Sequence, residues 1–298
     1  MRRSARLVAV WISFIASAEA REIVFAHYNL ENYLTLSRKV GSRSVPVAPK
    51  PENEIRALIA VIQSIKPDIL GVAEMGDQTL LADFQNRLRE AGMDFPHLEW
   101  VRGEEGNERH LALLSKFPIV ASNSQSDVPL ELDGRRHRMG RGILDVTVQV
   151  APDYRLRLIG LHLKSKRAVP MYDQQKFRAK EALIVRSRLN QILAADPNQN
   201  LLLFGDLNDT KNEFPIREIL GPSNSPAGLR DLPLHDRDGL TWTHYWENAD
   251  IYSRIDYLMV SRGLWPEIRA KRSGISSSRH TREASDHRPI FTTIHAVE

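Results

Sequence analysis

Four consecutive apolar residues, Leu201-Leu202-Leu203-Phe204, run into Gly205-Asp206-Leu207-Asn208-Asp209. An unbroken apolar run bounded by turn residues suits a strand buried on both faces. Gly205 allows a sharp turn without a Cβ clash. Asp206 and Asn208 then leave the strand end on one side, because side chains alternate with period two. A carboxylate able to take a proton, beside an amide able to donate hydrogen bonds, suits attack on a phosphodiester. Taken alone, the stretch reads more simply as an Asx-type turn with Asp209 capping the next helix. The rest of the chain decides between the two.

The same arrangement recurs. Glu22–His27 reads as a first strand, followed by Tyr28-Asn29-Leu30-Glu31-Asn32, and residues 35–51 read as a polar, proline-containing loop. A helix is expected over Glu54–Lys66, stopped by Pro67, which lacks the amide hydrogen and clashes with the preceding turn. Ile69–Ala73 is a second buried strand with Glu74 at its end, and a second helix covers Gln78–Ala91. Extended segments are expected at 96–101, 109–114, 119–122, 143–150 and 154–163, the last giving out at His162. A long helix over Tyr172–Leu193 leads to the 201–204 strand. A short helix at Phe214–Leu220 follows, then strands at 240–245, 254–260 and 290–295. Several neighbouring strands have no helix between them, which argues for mixed sheets packed on each other with helices outside.

With 298 residues, no internal repeat and no flexible linker, one domain is expected over residues 21–298. Residues 1–20 read differently. Arg2, Arg3 and Arg6 precede the short apolar run Leu7–Ala16, and Ala18-Glu19-Ala20 has the small-x-small pattern of a cleavage site. This reads as a secretory signal, so the mature protein is expected to be periplasmic or extracellular, with no transmembrane segment. The formal charge of the chain is +4; three arginines and Glu19 in the signal account for +2 of it, leaving about +2. That balance only mildly favours a polyanionic partner. There are no cysteines, so any metal site must be built from oxygen and nitrogen.

Asn29, Glu74, His162, Asp206, Asn208, Asp256, Asp286 and His287 all interrupt apolar strands at their ends. Acids, amides and imidazoles without thiols are the inventory of a hard-metal phosphoesterase. Six motifs in order, Tyr28–Asn32, Gly71–Glu74, Gly160–Lys164, Gly205–Asn208, Arg254–Tyr257 and Ser285–Pro289, make the chain resemble the endonuclease/exonuclease/phosphatase superfamily. That group includes pancreatic-type deoxyribonucleases, abasic-site endonucleases, inositol-phosphate phosphatases and sphingomyelinases. The resemblance implies a four-layer αββα sandwich, an α/β fold with two packed mixed sheets flanked by helices.

It also implies roles. Glu74 would hold Mg²⁺ or Mn²⁺, with Asn29 and Asp286 beside it. His287 would contact the scissile phosphate, with Asp256 accepting its other ring proton. Asp206 would orient or deprotonate the attacking water, Asn208 would hold a phosphate oxygen, and Arg141 matches a phosphate-contacting arginine. Glu108, in a segment similar to the pancreatic-type strand, would pair with His162. The groove-reading tyrosine of that group would fall near Gly106, where this chain has none, and the wording His162–Lys166 is closer to bacterial extracellular nucleases.

The reading is therefore a secreted, divalent-metal-dependent nuclease acting on DNA or RNA with little sequence preference, as a monomer without an obligate protein partner. Arg135, Arg136, Arg138, Lys164, Lys166 and Arg167 could track a phosphate backbone. The alternative is a phosphatase or phosphodiesterase for a phospholipid head group or small organic phosphate, since fold does not decide substrate. A binding module that has lost catalysis is the third class, and the complete residue set speaks against it.

Overall fold

The computed structural model describes residues 21–40, 43–104, 106 and 108–297. The expected export segment lies outside them. In chain order the elements are β1 (Arg21–Tyr33), β2 (Leu36–Val40), β3 (Arg43–Ala48), α1 (Glu52–Ile65), β4 (Ile69–Met75), α2 (Gln78–Glu90), β5 (His97–Val101), β6 (His110–Ser115) and β7 (Ile119–Ser122). Then come β8 (Pro129–Leu132), β9 (Arg135–Arg138), β10 (Leu144–Ala151), β11 (Tyr154–His162), α3 (Gln174–Ala195), β12 (Leu201–Asp206) and α4 (Phe214–Leu220). The chain closes with β13 (Arg230–Asp231), β14 (His244–Trp246), β15 (Ile251–Ser253), β16 (Asp256–Val260), β17 (Gly274–Ile275), α5 (Thr281–Ala284) and β18 (Ile290–Ala296).

Two six-stranded sheets carry the fold, ordered β17-β18-β1-β4-β6-β5 and β13-β16-β12-β11-β10-β7. Each is mixed. β1 runs parallel to β4 and antiparallel to β18; β12 runs parallel to β11 and antiparallel to β16. Strand alternation sorts the apolar residues into layers. In β12, Leu202 and Phe204 point into the space between the sheets, with Phe25, Leu113, Leu158 and Leu258. Leu201 and Leu203 point the other way, beneath Phe177, Val185 and Leu189 of α3 and Ile216 of α4. On the far side, Leu58 and Ile62 of α1 and Phe84 and Leu88 of α2 cover Tyr28, Val72 and Leu114. The expected four-layer αββα sandwich is what forms.

Phe204 sets the distance between the layers. Its ring lies 5.0 Å from that of Phe25 and 5.5 Å from that of His27. A Cβ added at Gly71 of β4 would stand 2.2 Å from the ring, and one at Gly160 of β11 would stand 2.7 Å from it. The ring thus fills a slot that two glycines leave open, one in each sheet. At the next residue, Gly205 has φ +151° and its absent Cβ would fall 2.0 Å from the Leu161 carbonyl oxygen. Only glycine allows β12 to approach β11 so closely there.

Three sequence expectations are corrected. Residues 36–40 and 43–48 pair as the β2–β3 ribbon rather than forming a loop; this is a local backbone pairing outside both sheets. The strand expected over 240–245 begins only at His244, because Leu240 is folded back in a turn, its amide donating to Asp236 Oδ1 at 2.9 Å. Asp209 does not cap α4, whose N-cap is Glu213. Asp209 instead accepts from Arg178 Nε at 3.1 Å and Lys166 Nζ at 2.8 Å.

The slot makes a stability prediction. Gly71→Ala drives a methyl into the Phe204 ring and is expected to cost about 1–3 kcal/mol, as overpacked cores do. Gly71→Ala combined with Phe204→Leu should recover part of that loss in urea unfolding. An unchanged midpoint for Gly71→Ala would show that the ring does not fix the sheet separation.

Candidate active site

The register of the strands brings the polar ends together. In the second sheet His162 lies beside Asp206 and Asp206 beside Asp256. In the first sheet Asn29 lies beside Ala73, next to Glu74. The backbone turns sharply at these strand ends, within the last residues of β1 and β4 and just past β12. Glu31, Asn32, Glu74 and Asn208 all adopt positive φ, between 46° and 61°, a region that side chains other than glycine, asparagine and aspartate rarely occupy. Hydrogen bonds hold them there: Asn32 N donates to Glu74 Oε2, Glu31 N to Asn29 Oδ1, and Asn208 N to Asp206 Oδ1, at 2.9–3.0 Å. Ser285 donates to the Asn29 carbonyl at 2.9 Å and accepts from His287 N at 3.0 Å, tying the 285–287 loop to β1.

Carboxylates and imidazoles alternate in a row. From Glu74 Oε1 it is 3.9 Å to His162 Nε2, and from there 3.5 Å to Asp206 Oδ2. Asp206 Oδ2 is 3.7 Å from His287 Nε2, which is 4.0 Å from Asp286 Oδ1. His244 Nε2 extends the row, 3.6 Å from Asp286 Oδ2. Beneath it, Asp256 Oδ2 receives His287 Nδ1 at 2.8 Å, the expected pairing. The Thr243 hydroxyl accepts the amides of both Ile255 and Asp256 at 3.1 Å, fixing that strand end. Asn29 Nδ2 donates to Asp206 Oδ2 at 3.1 Å, and Asn208 Nδ2 donates to the Leu163 carbonyl at 3.0 Å.

Burial and neighbouring charges divide the protonation states. Burial alone would discharge His287, but Asp256 first, then Asp206 and Asp286, hold its pKa well above the usual imidazole range. Burial, reinforced by Arg141, His287 and Arg109, drives His162 far below that range. One imidazole is charged and the other neutral. Asp206 is pushed up to about 6 by burial, against His287 and with Asp256 and Glu74 raising it further. Asp256 is buried too, yet His287 and His27 hold it below the usual carboxylate range. Glu31, whose Oε2 accepts the Asp286 amide at 3.0 Å, is raised to about 7 by burial and by Asp286.

The expected metal residues are arranged differently from a single cluster. Glu74 begins the row and Asp286 lies four steps along it, with Asn29 against Asp206 between them. Among the described residues, two sets of acids and histidines bring their ligand atoms within 4.8 Å of one another: Asp206, Asp256 and His287, and His244, Asp286 and His287. All-oxygen donors at Glu74, Asn29 and Asp286 suit a hard divalent ion that keeps several waters. Burial is the main cause of the raised Asp206, and Asp256 and Glu74 raise it further, a repulsion that a bound cation would relieve. The donor types fit such an ion, while of the two carboxylates only Asp286 belongs to a close set of ligand atoms.

Glu108 is corrected. The carboxylates beside His162 are Asp206 and Glu74. Glu108 is exposed on the loop before β6, and its charge bears on His110. β6 begins only at His110, so Glu108 is not carried on the sheet toward His162. Arg141 is turned inward, 8% exposed, with Nη1 3.4 Å from the Leu163 carbonyl oxygen. Arg135, Arg136 and Arg138 point outward from the separate β8–β9 hairpin, where Arg138 pairs with Asp127 at 2.8 Å.

Three neighbours escaped the sequence reading. Arg109 Nε lies 3.5 Å from Glu74 Oε2. His27, fully buried, places Nε2 3.5 Å from Asp256 Oδ1 and Nδ1 3.2 Å from the Gly71 carbonyl. Period two from Asn29 puts His27 on the site face, so a signal was present. His244 reaches the row through a bridge to His287, a pairing between distant segments with no local signature.

The Asp256–His287 pair predicts a pH signature in the metal-free protein. A lowered carboxyl stabilises above its unfolded pKa of 3.8 and loses that contribution as pH falls through the folded value. A raised imidazole stabilises fully below 6.5 and loses it as pH rises through the folded value. The pair therefore contributes fully between pH 3.8 and 6.5. His287→Gln should be destabilised on the order of 3 kcal/mol in that window, with the gap to wild type narrowing at alkaline pH in urea titrations.

The endonuclease/exonuclease/phosphatase family model matches residues 27–287. No curated protein is similar enough in sequence to count as a match. Among solved structures, a truncated TDP2 from Caenorhabditis elegans superposes with TM-score 0.60 at 17% identity, covering 92% of this chain and 98% of that one. The human Nocturnin catalytic domain, solved with a bound sulfate anion, gives 0.60 at 17% identity, covering 93% and 95%. The 3′ phosphatase NExo from Neisseria, bound to a product DNA hairpin, gives 0.58 at 15% identity, covering 91% and 98%. At these identities the structures speak for the fold, while the matched stretch runs from His27 at one end of the constellation to His287 at the other. The chain belongs to the endonuclease/exonuclease/phosphatase family.

Proposed function

We propose that the protein is an exported, divalent-metal-dependent phosphodiesterase that hydrolyses DNA or RNA with little sequence preference. The observation that carries this is Asp206 standing between one neutral and one charged imidazole, at 3.5 and 3.7 Å. A buried carboxylate with a pKa of about 6 is suited to take a proton from water near neutral pH. The His287 imidazolium presents Nε2–H to a non-bridging phosphoryl oxygen, and Asp256 keeps the ring oriented and charged as negative charge grows. His162 directs Nε2 toward Asp206 and steers it. Asn208 has a second amide hydrogen free to donate, and Arg141 adds fixed positive charge. A bound Mg²⁺ or Mn²⁺, held by Glu74 with Asn29 and Asp286, would polarise the phosphate and offset its charge. The nucleic-acid assignment draws on the cations Arg109 and Arg141 around the row and on the DNA bound by the Neisseria relative.

The test is turnover of plasmid DNA, RNA, phosphatidylinositol phosphates, sphingomyelin and bis(p-nitrophenyl) phosphate. DNA or RNA should be cut with Mg²⁺ or Mn²⁺ and not with EDTA. Lipid turnover without nucleic-acid cleavage would replace this reading with the head-group one. Glu74→Ala is expected to weaken Mn²⁺ binding in calorimetry and to lower kcat/KM at least tenfold, on the order of 1.4 kcal/mol or more, with the unfolding midpoint little changed. Full activity of that variant at ordinary metal concentration would remove Glu74 from the metal site.

Export rests on residues 1–20. No helix among the described residues is long and apolar enough to cross a membrane. N-terminal sequencing of protein recovered outside the cytoplasm should begin at Arg21. An intact Met1 on membrane-bound material would indicate an anchor.

A further inference from the structure

A cavity of about 510 Å³ opens between the β14–β15 hairpin and residues 276–282, and its wall includes Ser285 and Asp286. It therefore meets the catalytic row at Asp286. Its size falls within the roughly 300–1,000 Å³ typical of small-ligand sites. Tyr245 and Tyr252 face each other across the hairpin and stack at 4.5 Å and 29°. Trp242 meets Tyr252 edge-on at 4.9 Å and lies 4.3 Å beneath the Arg288 guanidinium, which pins it. Tyr252 is 55% exposed, so the platform presents an uncovered aromatic surface. Arg282 also lines the cavity and is exposed, with no carboxylate in ion-pairing distance among the described residues.

We infer that this cavity binds a nucleotide adjoining the scissile phosphate, its base on Tyr252 and a phosphate on Arg282, so that the substrate is a single strand or an unpaired end. A base inside a duplex already has both faces stacked and cannot enter a cavity. An unpaired base has a free face, and aromatic platforms beside cations are how single strands are held. Glu31, Asp238 and Glu247 also line the cavity and oppose a phosphate backbone running through it, which limits the site to about one nucleotide. A lipid surface suits the hairpin less well, because its tip, Glu247-Asn248-Ala249-Asp250, is acidic and polar. The inference rests on the nuclease reading and narrows it.

The experiment measures binding, in EDTA, of a fluorescein-labelled single-stranded oligonucleotide, the same sequence as a duplex, and phosphatidylcholine vesicles. Wild type should bind the single strand more tightly than the duplex. Tyr252→Ala and Arg282→Ala should each weaken single-strand binding about tenfold, Tyr252→Phe should retain it, and Arg155→Ala, on exposed β11 surface, should leave it unchanged. Variants that bind like wild type, or vesicles that bind while oligonucleotides do not, would overturn the inference. If both nucleic-acid forms are cut equally and Tyr252→Ala changes neither, the subsite fails while the nuclease reading stands. If bis(p-nitrophenyl) phosphate is turned over and no nucleic acid is cut, the nuclease reading itself fails and takes the subsite with it.

Discussion

The site depends on the packing of one ring. Phe204 fills the slot left by Gly71 and Gly160, and in doing so it sets how far β12 lies from β4. Two residues beyond Phe204 comes Asp206, and three beyond Gly71 comes Glu74. The separation of those carboxylates is therefore inherited from a hydrophobic contact in the layer below. Interiors are close-packed and resist small displacements, so the contact between the sheets helps to hold the polar groups at their edge in place.

On that frame the electrostatics are unbalanced by design of the sheet edges. Asp206, Asp256 and Glu74 come from different strands and converge where burial penalises charge. His287 compensates Asp256 closely, and Asp206 is left with a raised pKa. His27 sits on the other oxygen of Asp256, so that this carboxylate is flanked by imidazoles on both sides. Its neighbour His287 is thereby oriented by a group that is itself held in place. A deeply buried carboxylate that stays ionised needs such partners.

Much of this was legible because the chain announces strand ends: an apolar run, then a glycine or a polar residue. Glu74, His162 and Asp206 followed that rule, Asp256 and His287 stand just ahead of the apolar runs of β16 and β18, and the layers followed from the alternation in stretches such as Leu201–Phe204. What could not be read was set by contacts between distant segments. Arg109 reaches Glu74 from a loop, and His244 reaches His287 through an isolated bridge. Glu108 was assigned by likeness to a strand that here starts two residues later. The turn that holds Leu240 back on Asp236 broke an apolar-aromatic stretch that otherwise reads as a strand. Asp209, plausible as a helix cap from position alone, is claimed by Arg178 of a helix about thirty residues away in sequence.

Glu31, Asn32, Glu74 and Asn208 share a left-handed backbone conformation, which asparagine tolerates and glutamate disfavours. The two glutamates are held against their preference, each at a cost of order 1 kcal/mol or more. Glycine at 74 or 208 would relax the turn while deleting the group that the turn exists to aim. A chain selected only for thermal endurance would drift toward those glycines and become a sturdier, inert sandwich. Lys66, Asp133 and Asp250 share this conformation elsewhere in the chain, so what sets the site apart is that its left-handed residues are tied to other residues of the site, Asn32 to Glu74 and Asn208 to Asp206.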